Sequence, residues 1–178
     1  MKIEKEIFEP MAGFTREIGF YLSGMAEVRE QLSDTVKDLS DAEISAKVLP
    51  DVHSIGQLIL HNAEAEWFWI ECVLAEKELD EEVAKRELFW DVLLDEDFAA
   101  KNYSAEFCIK TADKVRGDCL ETLKKFGDED LETYFGFNKK DGRRIEVTLR
   151  YVLHHLIDHE AQHKGQILML KRLLRAGR

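Results

Sequence analysis

The sequence predicts an all-α fold, and three observations carry that expectation. Apolar residues recur at spacings of three and four over long stretches, the period of a helix with one buried face. Only two prolines and ten glycines interrupt 178 residues, little punctuation for a protein of many strands. No run of alternating hydrophobics is long enough for an extensive sheet. A chain of this length suits a single domain, 1–178, with a sizeable core.

Taken in order, the first helix is expected over about Pro10 to Leu39, where Phe14, Ile18, Tyr21, Met25, Val28 and Leu32 form an apolar stripe. Ser40 to His53 reads as a loop: Ser40 can cap a short turn in SDAE, and Pro50 with Asp51 breaks the chain. A second helix begins at Ser54, because SIGQ lets the hydroxyl cap the Gln57 amide while Gln57 reaches back. Leu58, His61, Ala65, Trp69 and Cys72 run along one of its faces, and it extends toward Glu76. The following KELDEEVAKRE is a solvated helix surface or linker with charges spaced for local pairing, and no function attaches to it.

Phe89, Trp90, Val92, Leu93, Leu94 and Phe98 form a dense apolar cluster, read first as core packing and otherwise as a substrate mouth or subunit contact. A third helix is expected from a Ser104 cap to Phe126, burying Phe107, Ala112, Val115, Cys119, Leu120 and Leu123 and ending at Gly127. Residues 128–146 form a short irregular or hairpin insertion before the last helix. The Asp141-Gly142 pair marks its turn, between short strands at 134–137 and 143–147. The last helix covers Arg150 to Leu174.

The net charge of −11 argues against a nucleic-acid groove. The basic cluster Lys164, Lys171, Arg172, Arg175 and Arg178 is the solvated face and C-terminal end of the last helix, where cations suit the dipole. No apolar stretch approaches bilayer length and no secretory leader pattern opens the chain, so no membrane association and a cytoplasmic location are expected. Cys72, Cys108 and Cys119 are odd in number with no Cys-x-x-Cys pair, which fits free thiols in a reducing compartment. Cys108 and Cys119 would lie about 16 Å apart along one helix, too far to bridge, and read as buried small hydrophobes.

Chemistry concentrates in RYVLHHLIDHEAQHKGQILMLKRLL, which holds four of the six histidines. Positions four apart stack on one helix face, so His155, His159 and His163 form a ladder. Val152, Leu156, Ile167, Leu170 and Leu174 continue nearly the same line, so the ladder is expected to point into the protein. A single such histidine is ordinarily a hydrogen-bonded core residue. A His-x-x-x-His pair, however, is how a helix presents two metal ligands. His159, Glu160 and His163 also match the His-Glu-x-x-His string of zinc peptidases. That reading needs a third ligand, and the 15 residues after His163 contain no His, Asp, Glu or Cys. The third ligand must come from upstream, and His61, two turns into the second helix on an apolar stripe, is the natural vertex.

Three neutral imidazoles leave a divalent ion coordinatively unsaturated, so hydrolysis and thiol transfer are both chemically available. Glu66, Glu160 and Gln166 are candidates to orient the ligands or handle protons, although Glu160 is turned about 100° from His159 around the helix axis.

SIGQLILHNAEAEWFW and LRYVLHHLIDHEAQHKGQI together resemble the two signature helices of the DinB/YfiT-like superfamily: a histidine followed five residues on by glutamate and an aromatic, then a His-x-x-x-His-x-x-x-His-x-Gly-Gln series. Here these are His61, Glu66 and Trp67 to Trp69, then His155, His159, His163, Gly165 and Gln166. The resemblance covers nearly the whole chain and implies a four-helix bundle of the DinB/YfiT-like type. It implies that His61, His159 and His163 hold a divalent metal ion, nickel or zinc, with His155 as a supporting residue. It also implies a metal-dependent enzyme acting on a small-molecule substrate, as a low-molecular-weight-thiol S-transferase or a hydrolase, and a homodimer by the family's habit. The alternative is a non-catalytic metal-binding stress-response or interaction protein.

Overall fold

Four long helical segments pack side by side in the computed structural model, which describes residues 5, 7–78, 89–139 and 141–176. They are α1 (Arg16–Val36), α3 (Ile55–Trp67) with its continuation, α5 (Ala105–Leu123) and α6 (Leu149–Ala176). α1 packs on α6, and α3 packs on both α5 and α6. The short helices α2 (Asp41–Ser45) and α4 (Phe98–Lys101) lie in the connections. The fold is all-α apart from one two-stranded hairpin, β1 (Tyr134–Asn138) with β2 (Arg144–Thr148), inserted before α6.

Each long helix buries one stripe: Ile18, Leu22, Met25, Leu32 and Val36 on α1; Ile55, Ile59 and Ala63 on α3; Cys108, Ala112, Val115, Cys119 and Leu123 on α5; Val152, Leu156 and Ile167 on α6. α3 starts at the expected Ser54 cap, with Ser54 Oγ accepting from Gln57 N and Gln57 Oε1 accepting from Ser54 N. After Trp67 it widens into a π-helical stretch, Phe68–Leu74. The hairpin pairs Tyr134 with Thr148 and Asn138 with Arg144, and Gly142 takes a positive φ of 83° in its turn, where a side chain would be strained. Its Phe137 packs edge-on against Phe68 and Trp69.

Two expectations change. The first helix begins at Arg16 rather than Pro10, because its free amides are capped from far away. Asp128 accepts from Glu17 N, Ile18 N and Thr15 Oγ1. Phe107 is not buried: it lies one residue, about 100°, off the α5 stripe and stacks on Tyr103.

The apolar cluster after residue 88 mostly joins the core, as Phe89, Val92 and Phe98 are buried, while Leu94 is exposed. Phe98 sits so close to Gly56 that a Cβ there would stand 2.9 Å from its ring, so glycine lets this segment seat against the start of α3. Gln57 Nε2 ties the same segment down by donating to the Val92 and Asp95 carbonyls. Most of the acidic run, residues 79–87, lies outside the described residues. The three cysteines are unbridged. Burial pushes the Cys72 thiol up to about 11 and the Cys108 thiol up to about 12, and raises that of Cys119 further, so none is a ready nucleophile. No described helix is long and apolar enough to cross a membrane.

Candidate metal centre

His61 on α3 faces His159 and His163 on α6, and one nitrogen from each ring lies within 4.8 Å of the other two. The two α6 rings, one turn apart, bring their Nε2 atoms to 3.3 Å. Two nitrogens each about 2.0–2.1 Å from one tetrahedral ion would be roughly 3.3–3.4 Å apart, so the α6 pair already has the required spacing. The His61 ring lies 5.1 and 5.2 Å from the other two, centroid to centroid. The donor set therefore fits a divalent ion.

The outer nitrogens are held as a metal site requires. His61 Nδ1 donates to Glu64 Oε2 at 2.9 Å, and His163 Nδ1 donates to Gln166 Oε1 at 2.8 Å, so in both rings the lone pair is on Nε2. Glu64 is fixed in turn, its Oε1 accepting from the backbone N–H of Asp91. Burial, reinforced by the neighbouring imidazoles, lowers His159 to about 3, and burial also lowers His163, so both are neutral lone-pair donors at pH 7. Removing the outer partner of such a ligand typically weakens metal binding 10–100-fold. Glu64→Ala is expected to do so here, measured by competition with a chromophoric chelator. Unchanged affinity would show that the Glu64 contact does not orient His61.

The trio is half-buried, not turned into the core as the ladder reading expected. It lies along the seam between α3 and α6, so a ligand can reach it from solvent. His155 is not one of the three: its ring packs between Trp69 and Tyr151, 5.7 Å from His159. Gln166 sits on His163 as described. Glu66 and Glu160, also expected beside the ligands, are bonded elsewhere.

Those two carboxylates belong to a buried ring of four charges, one from each long helix. Arg29 of α1 donates from Nε to Glu160 and from NH2 to Glu66 at 3.4 Å. Arg116 of α5 donates from Nε to Glu66 and from NH2 to Glu160 at 2.9 Å. Both acids are thus held by both bases, and Asp113 takes a further Arg29 donor at 3.0 Å. Glu66 is 1% exposed, Glu160 3% and Arg29 6%, so these three charges are withdrawn from water. Glu160 does turn about 100° away from His159, but into the bundle. It is held by two guanidiniums and is not free to act as a base.

Glu64, Arg29 and Arg116 were missed from sequence. A signal existed for the arginines: each interrupts an apolar stripe at the stripe's own spacing, Arg29 between Met25 and Leu32, Arg116 between Ala112 and Cys119. One existed for Glu64 as well, since it stands three residues after His61 on the same helix, as Gln166 does after His163; only the Asp91 N–H that fixes it depends on where that segment folds back. Asn62, next to His61, is buried with neither amide atom hydrogen-bonded among the described residues, a local cost of about 1–3 kcal/mol.

A family model described as the DinB superfamily matches residues 25–167, a span that includes all three histidines. Solved structures share the architecture. A DinB-like protein from Bacillus cereus is 22% identical over 96% of this chain and 95% of its own, with a TM-score of 0.60. A conserved protein from Enterococcus faecalis is 19% identical over 88% and 95%, with a TM-score of 0.66. YfiT from Bacillus subtilis, described as a probable metal-dependent hydrolase with an unusual four-helix bundle topology, is 20% identical over 99% and 94%, with a TM-score of 0.61. No functionally curated protein matches the chain. With the family model spanning most of the sequence and the same bundle in each of these structures, the chain belongs to the DinB superfamily.

Proposed function

We propose that the protein is a hydrolase of small molecules that works with a divalent metal ion held by His61, His159 and His163. The observation that carries this reading is the trio itself: three imidazoles from two helices, spaced for one ion and reachable from solvent. An ion there would supply Lewis acidity, activating a water or a thiol as nucleophile at neutral pH. The chain's own part is to hold the rings. Glu64 and Gln166 fix two of them through their Nδ1 hydrogens, and the buried charge ring joins the helices that carry them.

The similarity to YfiT supports hydrolysis over transfer. Elemental analysis of untagged protein, followed by assay of ester, amide and phosphoester panels with and without chelator, tests the proposal. The expected result is one divalent ion per chain and turnover that chelation abolishes and metal restores. Bound metal with no turnover would establish the non-catalytic binding protein instead. Activity confined to conjugation of a low-molecular-weight thiol would make it an S-transferase.

A further inference from the structure

Beside the histidine trio, on the side toward the C-terminal end of α6, lies a cavity of about 370 Å³, within the range of small-molecule sites. Its floor is the buried pair Leu58 and Leu170, and its walls are Leu49, Met169 and Leu173. These three wall residues are 42–54% exposed, an unusual degree for large apolar side chains gathered around one hollow. Leu58 stands one helical turn before His61. Gln166, which accepts from His163, is part of the lining, so cavity and ligand rings share a wall. Asp51, Val52 and His53 complete the lining, and Asp51 brings its only fixed charge.

We infer that this cavity receives the apolar tail of the substrate while the reacting group lies at the histidines, so the substrates are uncharged small molecules with an alkyl or aryl chain. The inference rests on the metal-centre reading above and adds the substrate class. The lining recognises a tail chiefly by burial, since six of its nine residues are apolar and its polar side chains are Asp51, His53 and Gln166 alone. An anionic tail would meet Asp51 on a chain of net charge −11. Met169 and Leu173 lie six and ten residues beyond His163, roughly 9 and 15 Å along α6, which gives a tail an extended apolar wall.

The probe is a series of alkyl hydroxamates, from acetohydroxamate to hexanohydroxamate, titrated into the cobalt-loaded full-length protein and followed by the cobalt absorption bands. Each added methylene is expected to tighten binding about fourfold. Met169→Glu and Leu173→Glu change exposed positions and leave the ligand rings alone. They are expected to cut the gain below about twofold per methylene while acetohydroxamate affinity and cobalt content stay unchanged. Affinity independent of chain length, or the same gain in both variants, would overturn the inference while leaving the metal centre intact. A protein that binds no cobalt would overturn the metal-centre reading, and this one with it. A dimer that Met169→Glu dissociates, with the chain-length gain unaltered, would assign the face to a second copy of the chain and overturn the inference alone.

Discussion

Arg29→Met is expected to lower the free energy of unfolding by about 3–5 kcal/mol, read from urea denaturation of metal-free protein. The substitution keeps a long apolar stem but removes one of two guanidiniums from the buried ring. Glu66 and Glu160 are then left with Arg116 alone, two desolvated carboxylates on one cation. An uncompensated buried charge is among the few mechanisms that cost this much, and total stability for a domain is only about 5–15 kcal/mol. The ring's electroneutrality makes a sharper check possible. Adding Glu160→Met to Arg29→Met leaves a single neutral pair, Arg116 with Glu66, and is expected to recover most of the loss. Strict additivity of the two substitutions would show that these side chains do not act as a unit.

His163→Ala is expected to weaken divalent-metal binding by more than about 100-fold, beyond what loss of an outer partner costs. It leaves His61 and His159, and His159 loses the 3.3 Å neighbour that completes the α6 half of the site. Fold and stability of the metal-free protein should change little, because His163 is half-buried and bonds only to Gln166 and His159 among the described residues. Metal titration and thermal unfolding of the same preparation separate the two effects. A variant that binds metal as tightly as the parent would remove His163 from the site; one that loses stability instead would make the trio a packing feature.

The contrast between these substitutions shows which parts of the molecule were readable in advance. Local chemistry was readable: the Ser54–Gln57 capping box starts α3 as SIGQ implies, and the Asp141-Gly142 turn joins two strands as its composition implies. Stripe positions such as Ile18, Met25 and Ile167 are buried as their spacing requires. The start of α1 was not readable, since Asp128, more than 100 residues away, supplies its cap. Glu66 and Glu160 were sought beside the metal ligands because each follows or neighbours a signature histidine. Their actual partners, Arg29 and Arg116, lie on helices that no local spacing brings near.

The sequence by itself determined the helices, the stripe each would bury, and that three particular histidines could serve one ion, because helical period and capping act between residues a turn or less apart. Only the tertiary structure decided that His61 meets the α6 pair across a seam open to solvent, that Glu66 is taken up by Arg29 and Arg116, and that an apolar cavity adjoins the site. Those outcomes depend on how whole helices and the 89–98 segment seat against one another. That seating is settled by the combined burial of four apolar stripes and one closed ring of charges, not by any single stretch of chain.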